Sequence, residues 1–195
     1  SGAGADIITS GAGNDTLTTG EGIDTITSSG GDDVINAGGG NDIINAGAGR
    51  DNIDAGAGND TITVSTDTDF EVSGGTETVD GGAGTDTLSF TATGAAHDFS
   101  SAEMGSVKNI EVISVAANGG FATTIGLSDT FMANNNDTIT ISAPVNTDTA
   151  DTINVNGAAV GAGSIRLILK GDTDGTNDTL TGGAGDDVLQ VGYAS

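Results

Sequence analysis

Aliphatic residues recur along the first part of the chain with a period of nine. Residues 1–63 divide without a gap into seven units, which read SGAGADIIT, SGAGNDTLT, TGEGIDTIT, SSGGDDVIN, AGGGNDIIN, AGAGRDNID and AGAGNDTIT. The eighth position is always aliphatic: Ile8, Leu17, Ile26, Ile35, Ile44, Ile53 and Ile62. In Thr16-Leu17-Thr18, as in several units, polar residues flank it. Each unit therefore predicts a short strand whose middle side chain points inward.

Two further positions of the unit do not vary. Position four is always Gly, and position six is always Asp. Gly accepts a positive φ and lets main-chain carbonyls approach one another, so the first six residues of each unit predict a turn. Two units then form one coil, and coils stack at about 4.8 Å. We predict an all-β fold, a parallel β-roll or β-helix solenoid.

The repeat stops and later returns. Residues 64–73 do not fit it, GGTETVD then places Glu77 at the Asp position, and GGAGTDTLS places Asp86 there. Near the end, TDGTNDTLT and GGAGDDVLQ carry Asp178 and Asp187. We expect a repeat roll over 1–90 with an insert at 64–73, and a second short repeat block over 171–195. Between them we expect a less regular β-rich segment over 91–170 with mostly metal-free turns. Its predicted strands are 107–115, 137–141, 151–155 and 165–169.

Stacking the coils aligns the acidic residues in two columns. One column holds Asp6, Asp24, Asp42 and Asp60, and the other holds Asp15, Asp33 and Asp51. Carboxylates about 5 Å apart repel by about 3 kcal/mol per pair at a dielectric constant near 20. The chain has 28 Asp and Glu against 4 Lys and Arg, a net charge of −24, so its own cations cannot neutralise them.

Calcium fits these columns best among the common metals. Ca²⁺ takes six to eight oxygen ligands from carboxylates and carbonyls, whereas Mg²⁺ prefers tight octahedral geometry and keeps its waters. Zn²⁺ favours His and Cys, and the chain has one His and no Cys. We expect about eight Ca²⁺ ions held between coils. The predicted carboxylate ligands are Asp6, Asp15, Asp24, Asp33, Asp42, Asp51, Asp60, Glu77, Asp86, Asp178 and Asp187. The predicted carbonyl ligands belong to Gly2, Gly4, Gly11, Gly13, Gly20, Gly22, Gly31, Gly38, Gly40, Gly47, Gly49, Gly56, Gly58, Gly82, Gly84, Gly183 and Gly185.

The ions also have an energetic role. Each unit buries one aliphatic side chain, which does not balance the conformational entropy lost by nine residues. Folding and calcium binding should therefore be one event. We predict a largely disordered chain in chelator and a β-structured chain in millimolar Ca²⁺.

Other functions lack their sequence signatures. The chain has a single imidazole, His97, and neither a G-x-S-x-G nor an H-E-x-x-H motif, so we predict no enzymatic activity. Its negative charge disfavours nucleic acid and anionic membranes. No apolar run is long enough for a transmembrane segment. Pairs such as Thr16/Thr18 suggest an ice-binding face, but Val34/Asn36 breaks that ladder. Ordinary strand-surface threonines are favoured.

The nonapeptide G-G-x-G-x-D-x-U-x resembles the RTX, or hemolysin-type, calcium-binding repeat over 1–90 and about 173–190. The resemblance implies a calcium-filled β-roll and type I export of a bacterial protein. Members include toxins, proteases, lipases, adhesins and S-layer proteins. The segments AGAGNDTITV, TVDGGAGTDTLSF and DFSSAEMGSVKNIEVISVAANG are together similar to S-layer proteins, in which calcium repeats alternate with Thr-, Ala- and Asn-rich β-structure.

We therefore expect a structural, calcium-binding module of a secreted bacterial cell-surface protein of the S-layer type. Its expected partners are calcium and either further copies of itself or other cell-surface components. Two alternatives remain: the C-terminal export and folding module of a secreted enzyme or toxin, and part of a large RTX adhesin. Because the chain opens inside a repeat, we expect it to be a fragment of a longer protein.

Overall fold

The strands of the repeat form two parallel sheets, one on each side of the coil. In this computed structural model the described residues are 1–64, 77–91, 97–99, 104–116, 122–136, 138–143, 152–161, 164–170 and 179–192. The nine-stranded sheet runs in the order Ile7–Thr9 (β1), Thr25–Thr27 (β3), Ile43–Asn45 (β5), Thr61–Val64 (β7), Thr87–Phe90 (β9), Val112–Val115 (β12), Thr138–Ala143 (β14), Ser164–Lys170 (β16) and Val188–Gly192 (β18). The five-stranded sheet runs in the order Thr16–Glu21 (β2), Val34–Gly39 (β4), Asn52–Asp54 (β6), Thr78–Asp80 (β8) and Val107–Lys108 (β11).

A four-stranded parallel sheet accompanies the later coils. Its order is His97–Phe99 (β10), Ala122–Ser128 (β13), Thr152–Ala159 (β15) and Thr179–Thr181 (β17). Helix α1 (Asp129–Asn134) follows β13 directly and begins at Ser128, whose hydroxyl accepts a hydrogen bond from the Phe131 N–H. Apart from this short α-helix and a 3-10 turn at Met104–Ser106, the regular elements of the described residues are strands, and they confirm the predicted all-β parallel roll.

The register confirms a coil of two nonapeptides. Ile8 pairs with Ile26 in one sheet and Leu17 pairs with Ile35 in the other, each 18 residues apart. Later coils are longer: the main-chain N–H of Asp60 bonds to Asp86, 26 residues on. The nine-stranded sheet continues through these longer coils, since Ile62 pairs with Leu88 and Leu88 pairs with Ile113.

The core is narrow in the repeats and wide afterwards. In the repeats the middle residue of each strand fills it, and Ile26, Ile44 and Leu88 are fully buried. Later coils add large side chains, among them Phe131, and the rings of Phe90 and Phe99 stack with centroids 3.9 Å apart. The later coils thus contain larger core side chains than the repeats do.

Three of the four strands predicted in the middle segment are confirmed, as β14, β15 and β16. The continuous strand predicted over 107–115 is wrong, because the structure divides it into β11 and β12 in different sheets. The break lies at Asn109, whose φ of 54° is left-handed. Asn tolerates this conformation better than most residues, so the chain can turn a corner there.

Candidate metal centre

Two columns of acidic side chains run along the solenoid where turns lead into strands. In the first acid column each residue's main-chain N–H donates to the carboxylate of the next coil. The distances are 2.7 Å from Asp6 to Asp24 Oδ1, 2.8 Å from Asp24 to Asp42 Oδ1, 2.8 Å from Asp42 to Asp60 Oδ1, 2.8 Å from Asp60 to Asp86 Oδ1 and 2.7 Å from Asp86 to Glu111 Oε2. One oxygen of each acceptor carboxylate is therefore used in a hydrogen bond to the main chain of the preceding coil.

The second acid column lies at the start of the five-stranded sheet's strands. The N–H groups of Asp15 and Asp33 donate over 2.8 Å to Oδ1 of Asp33 and Asp51. Glu77 is level with Asp51, because the following residues Asn52 and Thr78 pair in register. The structure thus brings together the predicted carboxylates of residues 1–86 as two separate columns.

In the first acid column, the second oxygen of several carboxylates is buried at an electrostatic cost. The Oδ2 atoms of Asp24, Asp42, Asp60 and Asp86 are buried, and none has a hydrogen-bond partner in the described part of the chain. Burying a charged oxygen without a partner costs several kcal/mol. These four atoms consequently form a row that favours a cation.

The pKa values respond to this burial. Burial raises the pKa of Asp42 and Asp60, and the neighbouring carboxylate below each one adds to the effect. Burial also raises the pKa of Asp86 from 3.8 to about 6, with further contributions from the charges of Asp60, Glu111 and Asp80. Without a bound cation, Asp42, Asp60 and Asp86 therefore bind protons more readily than an exposed aspartate does.

Serine hydroxyls donate hydrogen bonds to the second oxygen of some carboxylates. Ser28 donates to Asp33 Oδ2, and Ser1 donates to Asp6 Oδ2. Both serines occupy position one of the unit, where Ala37 and Ala55 stand before Asp42 and Asp60. The acid sites are therefore not equivalent.

Beside the acids, turn glycines pack closely against the glycine carbonyls of the preceding coil. A Cβ on Gly58 would lie 1.6 Å from the Gly40 carbonyl oxygen, and the φ of Gly58 is 135°. No side chain fits such a position, which explains the glycine in the turn. The predicted glycines with positive φ are Gly4, Gly13, Gly20, Gly22, Gly31, Gly38, Gly40, Gly47, Gly49, Gly56, Gly58, Gly82 and Gly84.

The remaining predicted site residues differ in their surroundings. Gly2 and Gly11 lie in equivalent turns at the start of the chain without positive φ, and Gly183 and Gly185 lie between β17 and β18. Asp187 repeats the carboxylate geometry at the far end, since its Oδ1 accepts from the Ile165 N–H over 3.0 Å. Asp178 and His97's side chain lie outside the described residues.

A family model for the RTX calcium-binding nonapeptide repeat matches the chain over residues 1–26, 27–62, 72–89 and 172–192. The chain belongs to the RTX calcium-binding repeat family. Comparison with curated proteins and with solved structures gave no match. RTX repeats bind calcium, are structural and not catalytic, and are typical of secreted proteins. The described part of the chain contains no helix long and apolar enough to span a membrane.

The chemistry of the donor set fits the calcium that RTX repeats bind. Within the described residues, no three Asp, Glu or His side chains gather around one point. An ion here must therefore take many of its ligands from main-chain carbonyls, which Ca²⁺ accepts readily. The glycine turns beside each carboxylate offer such oxygens.

Two features of this RTX chain were missed by the sequence reasoning. Glu111 extends the first acid column into a coil without a glycine turn. On the five-stranded sheet, Lys108 Nζ lies 2.6 Å from Asp80 Oδ2, and Asn109 Nδ2 lies 2.6 Å from Asp80 Oδ1. The sequence signal for Glu111 is its place directly before a short strand, as Asp86 is directly before β9, and both strands have Ser at their third position.

Proposed function

We propose that this chain is a calcium-dependent structural module of a secreted bacterial cell-surface protein of the S-layer type. Ca²⁺ ions lie between neighbouring coils and bind the predicted carboxylates and glycine carbonyls. The chain orders where calcium is abundant, outside the cell. About eight ions remain the expected number.

One observation carries the calcium role: the row of buried, unpartnered Oδ2 atoms at Asp24, Asp42, Asp60 and Asp86. Hydrogen bonds use the other oxygen of each carboxylate, so the row has capacity for a ligand. A divalent cation removes the burial cost and the repulsion between neighbours together. Protons could do so only at acidic pH.

The test of the calcium role is a direct count together with a folding measurement. Native mass spectrometry of the chain in calcium is expected to show several bound ions. Far-UV circular dichroism is expected to change from a largely disordered spectrum in chelator to a β-rich one in millimolar Ca²⁺. A chain that binds one ion or none, or that gives the same spectrum in both conditions, would falsify the proposal.

The outer face of the nine-stranded sheet supports a role in assembly. From β1 to β14 its outward residues carry no charge: Ile7, Thr9, Thr25, Thr27, Ile43, Asn45, Thr61, Thr63, Thr87, Ser89, Val112, Ser114, Thr138, Thr140 and Ser142. The outward residues of the five-stranded sheet include Asp54, Asp80 and Lys108. A net charge of −24 opposes association of copies, so a neutral face is where they can meet.

Electron microscopy tests the assembly role. The full-length protein is expected to form sheets in calcium and to lose them in chelator. Replacing Thr61 with Lys places a charge on the neutral face, and this variant is expected to bind calcium normally but to assemble less. A protein that stays monomeric at every calcium concentration would contradict the S-layer role and leave the calcium role intact.

A further inference from the structure

The first acid column extends past the residues that match the RTX family. The matched repeats stop at residue 89 and resume at residue 172. Glu111 lies between them, level with Asp86, because Val112 pairs with Thr87. The Asp86 N–H donates to Glu111 Oε2 over 2.7 Å, as the Asp60 N–H donates to Asp86 Oδ1 over 2.8 Å. The hydrogen bond that links successive repeats is therefore present once more beyond them.

An unpartnered oxygen lies at this extra step. Asp86 is 0% exposed, and its Oδ2 has no hydrogen-bond partner in the described part of the chain. A Cβ placed on Gly81 would lie 2.0 Å from the Asn109 carbonyl oxygen and 2.9 Å from Asp86 Oδ2. The two oxygens thus lie within about 5 Å of each other, close enough for one Ca²⁺ at about 2.4 Å from each.

The coil also holds its carbonyl in a fixed direction. Asn109 has a φ of 54°, and positive φ values in the described repeats belong to turn glycines. Its side chain donates to Asp80 Oδ1 over 2.6 Å, which anchors the turn. The charge of Lys108 is paired with the same Asp80, 2.6 Å away, so it is committed to another carboxylate.

We propose that Asp86, Glu111 and the carbonyl oxygen of Asn109 bind an additional Ca²⁺ ion outside the nonapeptide repeats. The inference rests on the proposed calcium function and extends it to a coil that has no glycine turn of its own. The ion joins the narrow repeat roll to the wide coils that contain Phe131. The segment over 91–170, whose turns were expected to be mostly metal-free, then contributes two ligands to a metal site.

The column ends at this ion because the next coil has no acid at this position and is linked by hydrogen bonds of a neutral side chain instead. Ile139, which is fully buried, takes the register position of the acid. The buried side chain of Asn135 accepts from the Ile110 N–H over 2.7 Å and donates to the Val107 carbonyl over 3.1 Å. It also donates to the Phe131 carbonyl. A neutral amide therefore links these turns where an ion links the earlier ones.

The test counts calcium in the full chain by native mass spectrometry and calorimetry. Glu111→Gln keeps an oxygen for the Asp86 N–H but removes the charge, so it is expected to bind one ion fewer than the wild type. Glu111→Asp restores a carboxylate of the type used elsewhere in the column and is expected to keep the full number. The matched control Asp54→Asn removes an exposed carboxylate on the five-stranded sheet and is expected to change nothing.

A fourth variant separates this inference from the proposed function. Asp60→Asn removes a carboxylate inside the matched repeats and is expected to lose at least one ion. If the wild type binds no calcium, the proposed function fails. If Asp60→Asn loses ions while Glu111→Gln and Glu111→Asp both keep the wild-type number, only the additional site is overturned.

Discussion

Protons and calcium should compete for the first acid column, so pH is expected to act in opposite directions with and without the metal. Burial raises the pKa of Asp86 from 3.8 to about 6 in the calcium-free fold. Since the folded chain then binds this proton more tightly than the unfolded chain, the stability that Asp86 contributes to the calcium-free fold is fully present below about pH 4. That stability is lost as pH rises from about 4 through about 6.

The magnitude follows from the size of the shift. A pKa difference of about 2 units corresponds to about 3 kcal/mol from Asp86 alone over the full titration, of which about 2 kcal/mol falls between pH 4.5 and pH 7.5. The pKa values of Asp42 and Asp60 are raised for the same reason, so they add to the effect in the same direction. With calcium bound the sign reverses, because acid protonates the ligands and releases the ion.

The assay is far-UV circular dichroism at pH 4.5 and pH 7.5. It measures the folded fraction in calcium-free buffer, where the chain is expected to be largely disordered at neutral pH, and it follows urea unfolding in millimolar Ca²⁺. Acid is expected to increase β-structure and stability in the first buffer and to decrease both in the second. Asp86→Asn should remove about 2 kcal/mol of the calcium-free difference between these two pH values, whereas the exposed control Asp54→Asn should leave that difference unchanged. Calcium-free stability that rises from pH 4.5 to pH 7.5 would refute the reasoning.

Three further changes test other parts of the structure. Asp42→Asn should reduce the number of bound ions and raise the calcium concentration needed for folding, measured by titration against Asp54→Asn; equal midpoints would contradict a ligand role. Gly58→Ala places a side chain at a φ of 135° and 1.6 Å from a carbonyl oxygen, so it should cost about 3 kcal/mol or more in urea unfolding. Gly105→Ala, where nothing lies within 4 Å, is its control, and equal losses in the two would count against the close approach. Ile44→Ala should cost about 2–5 kcal/mol in calcium, because Ile44 is fully buried, and a loss below 1 kcal/mol would argue against the narrow core.

The repeated coils were predictable because each nonapeptide contains the residues that determine its own turn and strand. An aliphatic residue two positions after every Asp indicates both the inward side chain and the stacking period. Ile26, Ile35 and Ile44 are buried in the core, as this pattern predicts. Glycine at position four indicates the tight turn, as at Gly58. The alignment of acids into two columns then follows from a coil of 18 residues, as with Asp24 and Asp42.

The middle segment was less predictable because its turns use other residues. The apolar run around Val107 and Ile113 suggests one strand, and nothing in its periodicity indicates the left-handed Asn109 that divides it. Helix α1 was missed, although Ser128 and Asp129 are typical of a helix start and Phe131 is buried. Both features depend on packing between coils that are distant in sequence.

The parallel ladders also determine how the molecule bears load. Each coil in residues 1–64 bonds to its neighbours through short strands, so a force along the solenoid axis separates one coil at a time. Releasing an 18-residue coil lengthens the chain by about 60 Å. Single-molecule pulling in calcium is expected to give a series of steps of that size, and a single large rupture would argue against this behaviour. A solenoid of such coils therefore extends in stages under tension and shortens again as the released coils stack back.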